Sequence, residues 1–508
     1  MKSPSSRSSN RPAERLSWLA RLAQKKNEGL VLLSVAATLL VMAWIVLGLP
    51  IGVQDEWIWR SRVVIGARFW TPLGAVALLI AAAGWLTRPN RWEKMPHRRR
   101  ALWLVAIFLI AWLLAVGVLG IPESPVLVTG GIIASREATS YFSVAIGVED
   151  LPDFLQYYPQ LMSTFPQHAR THPPGPIVFF WAVDQALRHW PALDQAVRRA
   201  ALRVDRVGAE ELAPAIRREL GIPVSDTDAY AAVLSAVLLA GIGCLALFPL
   251  YQLTAARYDP TTALRALLLF ATVPSFLVFA PVIDELVLLF AVLILWSFQL
   301  LREKGNPLLG LCFALGLLVS VGLIVMVLFL ALWLLLERRL DGARAAAADK
   351  SNFLLGLLGA AVLFCAVFLL LQFLLGLNFP AVLEAGLTAH RHTTVEEVGR
   401  TYWKWIIYNP VEFAIFLGMP LVIWAAWGIR GAFAWAWIAT LLLLNLSGWV
   451  RAEAGRIWLF LMPPAAMIAA DRLGRLGKRF DLGFFSALVL QIGQAITMKA
   501  GLDIFILK

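Results

Sequence analysis

The sequence predicts an all-α, polytopic integral membrane protein. Of its 508 residues, 59% are hydrophobic and only 15% are charged, whereas soluble domains are about half apolar and a quarter charged. The apolar residues stand in continuous runs of about 20, the length of a membrane-spanning helix, while a transmembrane β-barrel would alternate. The 21 tryptophans are typical of aromatic belts at the membrane surface.

The apolar runs predict about thirteen transmembrane helices. They lie at roughly residues 30–50, 72–88, 101–121, 228–252, 264–281, 283–302, 307–319, 322–338, 353–376, 409–427, 432–449, 456–470 and 482–499. Ser320-Val321-Gly322 predicts a break between two of them, because Ser and Gly interrupt helices. The run from Pro176 to Leu187 is short and contains Asp184, so it predicts an interfacial amphipathic helix and not a span.

The net charge is +12. Because the basic residues cluster between spans, they indicate how the protein is oriented in the membrane and that it contacts anionic lipid headgroups, and they do not indicate nucleic-acid binding. If the basic tail, residues 1–29, is cytoplasmic, alternation leaves every inside segment net basic. Residues 122–227 then form one large extracytoplasmic loop, and residues 51–71, 377–408 and 450–455 lie on the same side. We expect a multi-pass protein of the plasma membrane, such as a bacterial inner membrane.

Two candidate groups lie in the large loop. Glu137 follows the third span at the interface, where partial burial would suit a general base, although a solvated carboxylate is the simpler interpretation. His172 precedes Pro173-Pro174, which begin a helix whose N-terminus favours a phosphate. His168 stands four residues earlier, so a metal pair is conceivable, but Pro173 argues against a helical register through His172.

Further candidates stand in the other outer segments. Asp284 lies at the outer end of a span, as an interfacial charge or a functional acid. Glu453 and Arg456 form either an intrahelical ion pair or an arginine that Glu453 orients toward a lipid phosphate. Asp55 and Glu56 follow the first span. Arg391 belongs to a basic and aromatic loop that suits polyanionic or sugar ligands, but also an ordinary interface.

These residues resemble a motif order found in the GT-C superfamily of polyprenyl-phosphate-dependent glycosyltransferases, especially protein O-mannosyltransferases and lipid A aminoarabinose transferases. Glu137 and Tyr141 match its acid and tyrosine, His172-Pro173-Pro174 matches its double-proline element, and Asp284 after a proline matches its next landmark. The likeness covers roughly residues 101–300 in detail. Many members carry Asp-Glu where this chain has Glu137-Ala138, and their loop follows the first span.

The resemblance implies a GT-C-like domain over residues 101–508, preceded by a two-span addition over residues 30–100. It implies inverting transfer of a sugar from a polyprenyl phosphate to a glycan, lipid or protein acceptor of the envelope, outside the cytoplasm. Glu137 would be the general base, with Asp284 as a second catalytic residue. The donor phosphate would meet His172, Arg456 and Arg391. Supporting roles would fall to Tyr141, His168, Glu453, Asp55 and Glu56.

No metal-ligand set or cofactor is predicted, although a divalent cation remains open. Two other functions remain open as well. A transporter or flippase of a lipid-linked or anionic substrate would place charges near mid-membrane, often within paired repeats, but here charges gather at outer helix ends and no repeat is visible. A non-catalytic subunit of an envelope-assembly machine would make the acids incidental.

Overall fold

The computed structural model describes residues 11–61, 66–340, 350–393, 399–476 and 480–503. Parts of the predicted tail and of four predicted loops, at 1–10, 62–65, 341–349, 394–398 and 477–479, lie outside the described residues. The described chain is almost wholly helical. Its first helices are α1 (Arg11–Val46), α2 (Leu73–Leu86), α3 (Arg91–Lys94) and α4 (His97–Leu119).

The predicted large loop folds into eight helices. They are α5 (Pro125–Ala134), α6 (Tyr141–Ala145), α7 (Leu151–Gln156), α8 (Tyr158–Leu161), α9 (Gln167–Arg170), α10 (Gly175–His189), α11 (Pro191–Val204) and α12 (Arg206–Leu220), with a 3-10 turn at Met162–Thr164. We call α5–α12 the helical cap. Helix α10 confirms the amphipathic helix predicted at Pro176, because its apolar side chains Ile177, Phe180 and Val183 are buried on one face.

Fifteen further helices follow the cap among the described residues. They are α13 (Asp226–Leu245), α14 (Leu247–Arg257), α15 (Pro260–Phe270), α16 (Pro274–Val278), α17 (Asp284–Lys304), α18 (Leu308–Val319), α19 (Val325–Leu340), α20 (Lys350–Leu375), α21 (Phe379–His392), α22 (Tyr402–Leu417), α23 (Met419–Gly428), α24 (Gly431–Ser447), α25 (Ala454–Ile457), α26 (Pro463–Gly474) and α27 (Phe480–Gly501). Two 3-10 turns lie at Val321–Ile324 and Leu459–Leu461.

Within the described residues, seven stretches of helix are long and apolar enough to cross a membrane, which confirms the predicted all-α class. They are Asn27–Val46, His97–Leu119, Asp226–Arg257, Asp284–Lys304, Val321–Leu340, Ser351–Leu375 and Asp481–Gly501. An eighth results if α22 and α23 count as one span, and α2, α5, α15, α18 and α24 are shorter apolar helices. The number thirteen stays a prediction. Large apolar side chains such as Phe373, 86% exposed, cover the outside of α20, as a lipid-facing helix requires.

Several predicted runs contain breaks. Helix α18 ends at Val319, and extended Ser320 accepts a hydrogen bond from the Gly322 amide at 3.2 Å, which confirms the predicted interruption. The run 409–427 is not straight, because the helix direction bends by 106° between α22 and α23. Gly418 joins them with a φ of 96°, a conformation that glycine adopts without strain.

The described part of the chain forms two apolar cores. The larger one runs through the apolar helices and includes Trp333, Phe329 and Phe433. The smaller one belongs to the helical cap, where Phe142 and Phe180 pack together with side chains of α13. The predicted loop is therefore a packed layer of short helices lying on the ends of the longer ones.

A small antiparallel sheet, which the sequence did not predict, connects the two ends of the described chain. Its strands are β1 (Ile51–Val53), β2 (Trp57–Ser61) and β3 (Leu502–Asp503), in the order β1-β2-β3. Trp59 pairs with Ile51 across the hairpin, and the turn places Asp55 at a φ of 69°. The predicted two-span addition is thus built into the bundle, where α1 also packs along α23 and α27.

The contact between Gly243 and Glu285 gives a test of the packing. A Cβ atom at position 243 would lie 1.8 Å from the Glu285 Oε2 atom, and an extra carbon in a packed interior costs about 1–3 kcal/mol. We expect Gly243→Ala to lower the thermal stability in detergent. Glu285→Ala should remove most of that cost, because it removes the clashing carboxylate.

Gly74→Ala is the matched control, since a Cβ there meets nothing within 4 Å. Thermal unfolding of both single variants and the double variant measures the coupling. An equal loss of stability from Gly243→Ala in both backgrounds would disprove the contact.

Candidate functional site

Arg456 connects three segments that lie far apart in the sequence. Its buried guanidinium donates from Nη2 to Glu453 Oε2 at 2.9 Å and from Nη1 to the Ala138 carbonyl oxygen at 3.4 Å. Its Nε atom lies 4.0 Å from Asp284 Oδ2, which is beyond hydrogen-bond length, and has no hydrogen-bond partner among the described residues. We call Arg456, Glu453, Asp284 and the Glu137-Ala138 peptide the Arg456 cluster.

Two histidines of the cap border this cluster. The His168 Nε2 atom lies 3.0 Å from the Glu137 carbonyl oxygen, and the His172 Nδ1 atom lies 3.0 Å from the His168 carbonyl oxygen. Carbonyl oxygens only accept, so each of these nitrogens carries the proton. His172 therefore presents an unprotonated Nε2 atom. The Tyr141 ring meets the His172 ring edge-on, with centroids 5.5 Å apart.

Burial determines the charge of these cap residues. It lowers the pKa of His172 to about 3 and lowers the pKa of His168 as well, with the positive charge of Arg456 acting in the same direction. Burial and the nearby carboxylate of Asp284 raise the pKa of Tyr141. At neutral pH both imidazoles are uncharged and the phenol keeps its proton. Arg456 is consequently the positive group at the centre of the cluster.

The chain is held in left-handed conformations at three non-glycine residues around the cluster: Ser140, Ala452 and Glu453, with φ values of 59°, 84° and 58°. Such positions each cost on the order of 1–3 kcal/mol and persist only where the surroundings fix them. The Ser140 hydroxyl accepts from the Ala169 amide at 2.8 Å, and the Ala452 amide donates to Asn409 Oδ1 at 3.2 Å.

Glu412 fixes the chain directly before Arg456. Its Oε1 atom accepts from the Gly455 amide at 3.2 Å and from Trp59 Nε1 at 2.9 Å. The Ser275 hydroxyl donates to the Gly455 carbonyl oxygen at 2.6 Å. Glu412 and Asn409 were not among the predicted site residues, although both are polar residues inside a predicted span, a signal that points to function.

Asp284 is followed by Glu285, which faces the opposite way. Glu285 is fully buried against Gly243 of α13. Neither of its carboxylate oxygens has a hydrogen-bond partner within the described part of the chain. The two neighbouring acids thus have different surroundings, and only Asp284 approaches Arg456.

Glu56 forms a second cluster at the start of α22. Its carboxylate accepts from the Thr401 amide at 2.9 Å, from Lys404 Nζ at 2.8 Å and from Trp405 Nε1 at 2.8 Å. Arg400, the residue before Thr401, lies over the Trp57 ring at 5.0 Å. The Arg400 carbonyl oxygen accepts from Arg451 Nη1 at 2.7 Å, which joins this cluster to the chain leading to Arg456.

The predicted site residues divide into a central group and a peripheral group. The central group consists of Tyr141, His168, His172, Asp284, Glu453, Arg456 and the main chain of Glu137. The Glu137 side chain is exposed. Glu56 lies in the second cluster, Asp55 is exposed at the hairpin turn, and Arg391 is exposed near the end of α21. His390, beside Arg391, stacks on Trp449 at 4.8 Å.

The described residues contain no group of three or more His, Cys, Asp or Glu side chains that could hold a metal ion. Asp284 and Glu453 both face the guanidinium of Arg456. A divalent cation at this place would have only two carboxylate ligands, and both already lie close to the positive charge of Arg456. No known family model matches the chain, and no curated protein matches its sequence.

The Glu56 contacts give the folded protein a specific pH dependence. Burial alone raises the pKa of Glu56, but hydrogen bonds from Lys404, Thr401 and Trp405 outweigh it and hold the pKa at about 2, below the ordinary 4.5. These contacts therefore stabilise the protein fully above about pH 4.5, and their contribution is lost as the pH falls toward 2.

We expect Glu56→Gln to lower the thermal stability at neutral pH and to flatten its pH dependence between 4.5 and 2. The matched control is Asp55→Asn, which neutralises the exposed neighbouring acid of the same turn. Melting curves of both variants across this range in detergent make the comparison. A wild-type pH profile in Glu56→Gln would contradict the assignment.

Proposed function

We propose that the protein is a membrane glycosyltransferase that moves a sugar from a polyprenyl phosphate to an envelope glycan, lipid or protein. The Arg456 cluster is the observation that supports this proposal. It combines a buried cation with two acids, one of which, Asp284, begins α17, a helix of membrane-spanning length. The main chain of Glu137 and Ala138 lies beside it. A lipid-linked anionic donor requires this combination at headgroup depth.

Arg456 is the candidate for holding the donor phosphate. A guanidinium binds phosphate oxygens through paired, charge-assisted hydrogen bonds, and the Arg456 Nε atom has a donor that no described residue uses. Glu453 and Asp284 orient the guanidinium and balance its charge. Arg391, the other predicted cation, would reach the phosphate only from outside the cluster.

Glu137 is the candidate for the general base. Its own carbonyl oxygen is bound to His168, and the next carbonyl oxygen is bound to Arg456, so its backbone is fixed beside the proposed phosphate site. In the reaction, an acceptor hydroxyl gives its proton to Glu137 and its oxygen attacks the anomeric carbon. The bond from that carbon to the phosphate oxygen breaks, and polyprenyl phosphate leaves with the electron pair. A single displacement inverts the configuration.

The neutral histidines have a different part in this proposal. His172 brings no charge to the phosphate, but its unprotonated Nε2 atom accepts a hydrogen bond, and a sugar or acceptor hydroxyl would supply one. His168 fixes the Glu137 peptide. Tyr141 keeps its proton and packs against His172.

A transporter or flippase is the second candidate function. The observation in its favour is the bent pair α22–α23 together with the breaks between α15, α16 and α17, because discontinuous helices form the substrate sites of many transporters. Movement of an intact lipid-linked sugar across vesicle membranes, with no new glycosidic bond, would favour this function.

We expect Glu137→Gln to abolish sugar transfer without affecting expression or folding. The change removes the base and keeps the shape, and a positioned base contributes about 10²–10⁴-fold to rate. Glu149→Gln, an exposed acid of the same cap, is the matched control. Purified protein in lipid vesicles would be assayed with a panel of undecaprenyl- and decaprenyl-phosphate sugars. Wild-type transfer by Glu137→Gln would eliminate this mechanism.

The proposed orientation places the cap outside the cytoplasm. The cap positions Ser163 and Gln195 are exposed, as is Lys304 at the end of α17. We expect cysteines at 163 and 195 to react with an impermeant maleimide added to intact cells, and a cysteine at 304 to react only after lysis. Labelling of Lys304→Cys alone in intact cells would reverse the orientation, because the cap would then be cytoplasmic.

A further inference from the structure

The turn between α11 and α12 exposes two apolar side chains in a rigid conformation. Val204 is 58% exposed and Val207 is 70% exposed. Asp205 between them is buried, where Oδ1 accepts from the Gly208 amide at 2.9 Å and Oδ2 accepts from the Val126 amide at 3.3 Å. Because Asp205 points inward, both valines stay on the surface. We call residues 203–207 the basic elbow.

The basic elbow lies level with the ends of two apolar helices. The Val204 carbonyl oxygen accepts from Arg68 Nη1 at 3.2 Å, and the Arg68 amide donates to the Ile121 carbonyl oxygen at 2.7 Å. Ile121 lies just beyond Gly120, which caps the end of α4, and Arg68 lies shortly before α2. Phe69 and Trp70, between Arg68 and α2, are 42% and 68% exposed. Apolar side chains of two separate segments are therefore exposed beside the N-terminal end of α2 and the C-terminal end of α4.

Arginines accompany the valines on this surface. Arg199, Arg203 and Arg206 are exposed, and Arg206 pairs with Glu210 at 2.9 Å. Apolar side chains beside exposed arginines, level with the ends of α2 and α4, match the headgroup layer of an anionic bilayer. A nucleic acid would use the cations but leave the valines and Trp70 exposed to water.

We propose that the basic elbow, with Phe69 and Trp70, inserts into the headgroup layer and binds anionic phospholipid. The valines and aromatic rings enter the acyl boundary, and Arg203 and Arg206 meet the lipid phosphates. This site would anchor the cap to the membrane at a point remote in sequence from the Arg456 cluster. It requires a membrane but no glycosyltransferase activity, so it stands if the proposed function fails.

Depth-dependent quenching tests the insertion. Val207→Cys would be labelled with the fluorophore NBD in a Cys365→Ser background, since Cys365 is exposed whereas Cys244 and Cys312 are buried. The matched control is Gln195→Cys, an exposed position of α11 away from the elbow. In vesicles, lipids carrying a nitroxide near the headgroup should quench the label at 207 at least about twofold more than the label at 195.

A comparison of two lipids tests whether the basic elbow prefers anionic phospholipid. In equimolar phosphatidylcholine and phosphatidylglycerol, nitroxide on the phosphatidylglycerol should quench the label at 207 more strongly than nitroxide on the phosphatidylcholine. Arg203→Gln and Arg206→Gln should each reduce this preference by a factor of about five, as expected for one arginine near an anionic surface. Arg218→Gln, the same change at the other end of α12, should leave it unchanged.

Three results would overturn the proposal. The label at 207 could be as exposed to water as the label at 195, which would place the elbow away from the bilayer. Equal quenching by the two nitroxide lipids would remove the anionic preference. Shielding of the label without quenching by either lipid would show that a protein surface, such as a second copy of the chain, covers the elbow.

Discussion

The burial of the Arg456 guanidinium is the constraint on which the surrounding structure depends. A charged side chain can leave water only if partners compensate it, and Arg456 finds Glu453, Asp284 and the Ala138 carbonyl oxygen. The guanidinium in turn compensates the charges of Glu453 and Asp284, because these two acids are also mostly buried. Removing one member of such a set leaves an uncompensated charge and costs about 3–5 kcal/mol.

The same constraint explains the polar residues inside the apolar helices. Glu453 contacts Arg456 from a left-handed backbone, a conformation that persists only where the surroundings fix it. Asn409 and Glu412 support the chain before Arg456 from α22, and Ser275 supports it from α16. In the cap, the Tyr158 hydroxyl donates to the His172 carbonyl oxygen at 2.9 Å. Main-chain contacts from outside the cluster thus fix both sides of the site.

The long helices could be predicted from the sequence because continuous apolar runs determine them locally. The break at Ser320 and the amphipathic α10 had local signals as well. The β-hairpin had none, because strands β1 and β2 are very short and β3 lies more than 400 residues away along the chain. The bend at Gly418 also depends on packing against distant helices, which a local pattern does not report.

The site likewise depends partly on local signals and partly on packing between distant segments. Predicted topology placed Glu137, His172, Asp284 and Arg456 on one side of the membrane, but the side alone leaves their separation undetermined. Packing between α17 and α25 brings Asp284 to Arg456, and packing of the cap on the bundle adds the Ala138 carbonyl oxygen. Glu56 joins Lys404 instead, and Arg391 stays outside. The neutral state of His172 was equally hidden, because it results from burial in a cap that the sequence presented only as a loop.

The pairing of β2 with β3 has a consequence for biogenesis. Trp59 of β2 donates to Glu412, and Glu412 holds the peptide before Arg456, while the other edge of β2 pairs with residues 502–503. A ribosome makes β2 early and β3 after the last long helix. One edge of the hairpin therefore stays unpaired while the chain from α2 to α27 is made. The sheet beside Trp59 is therefore completed only after residues 502–503 have been synthesised.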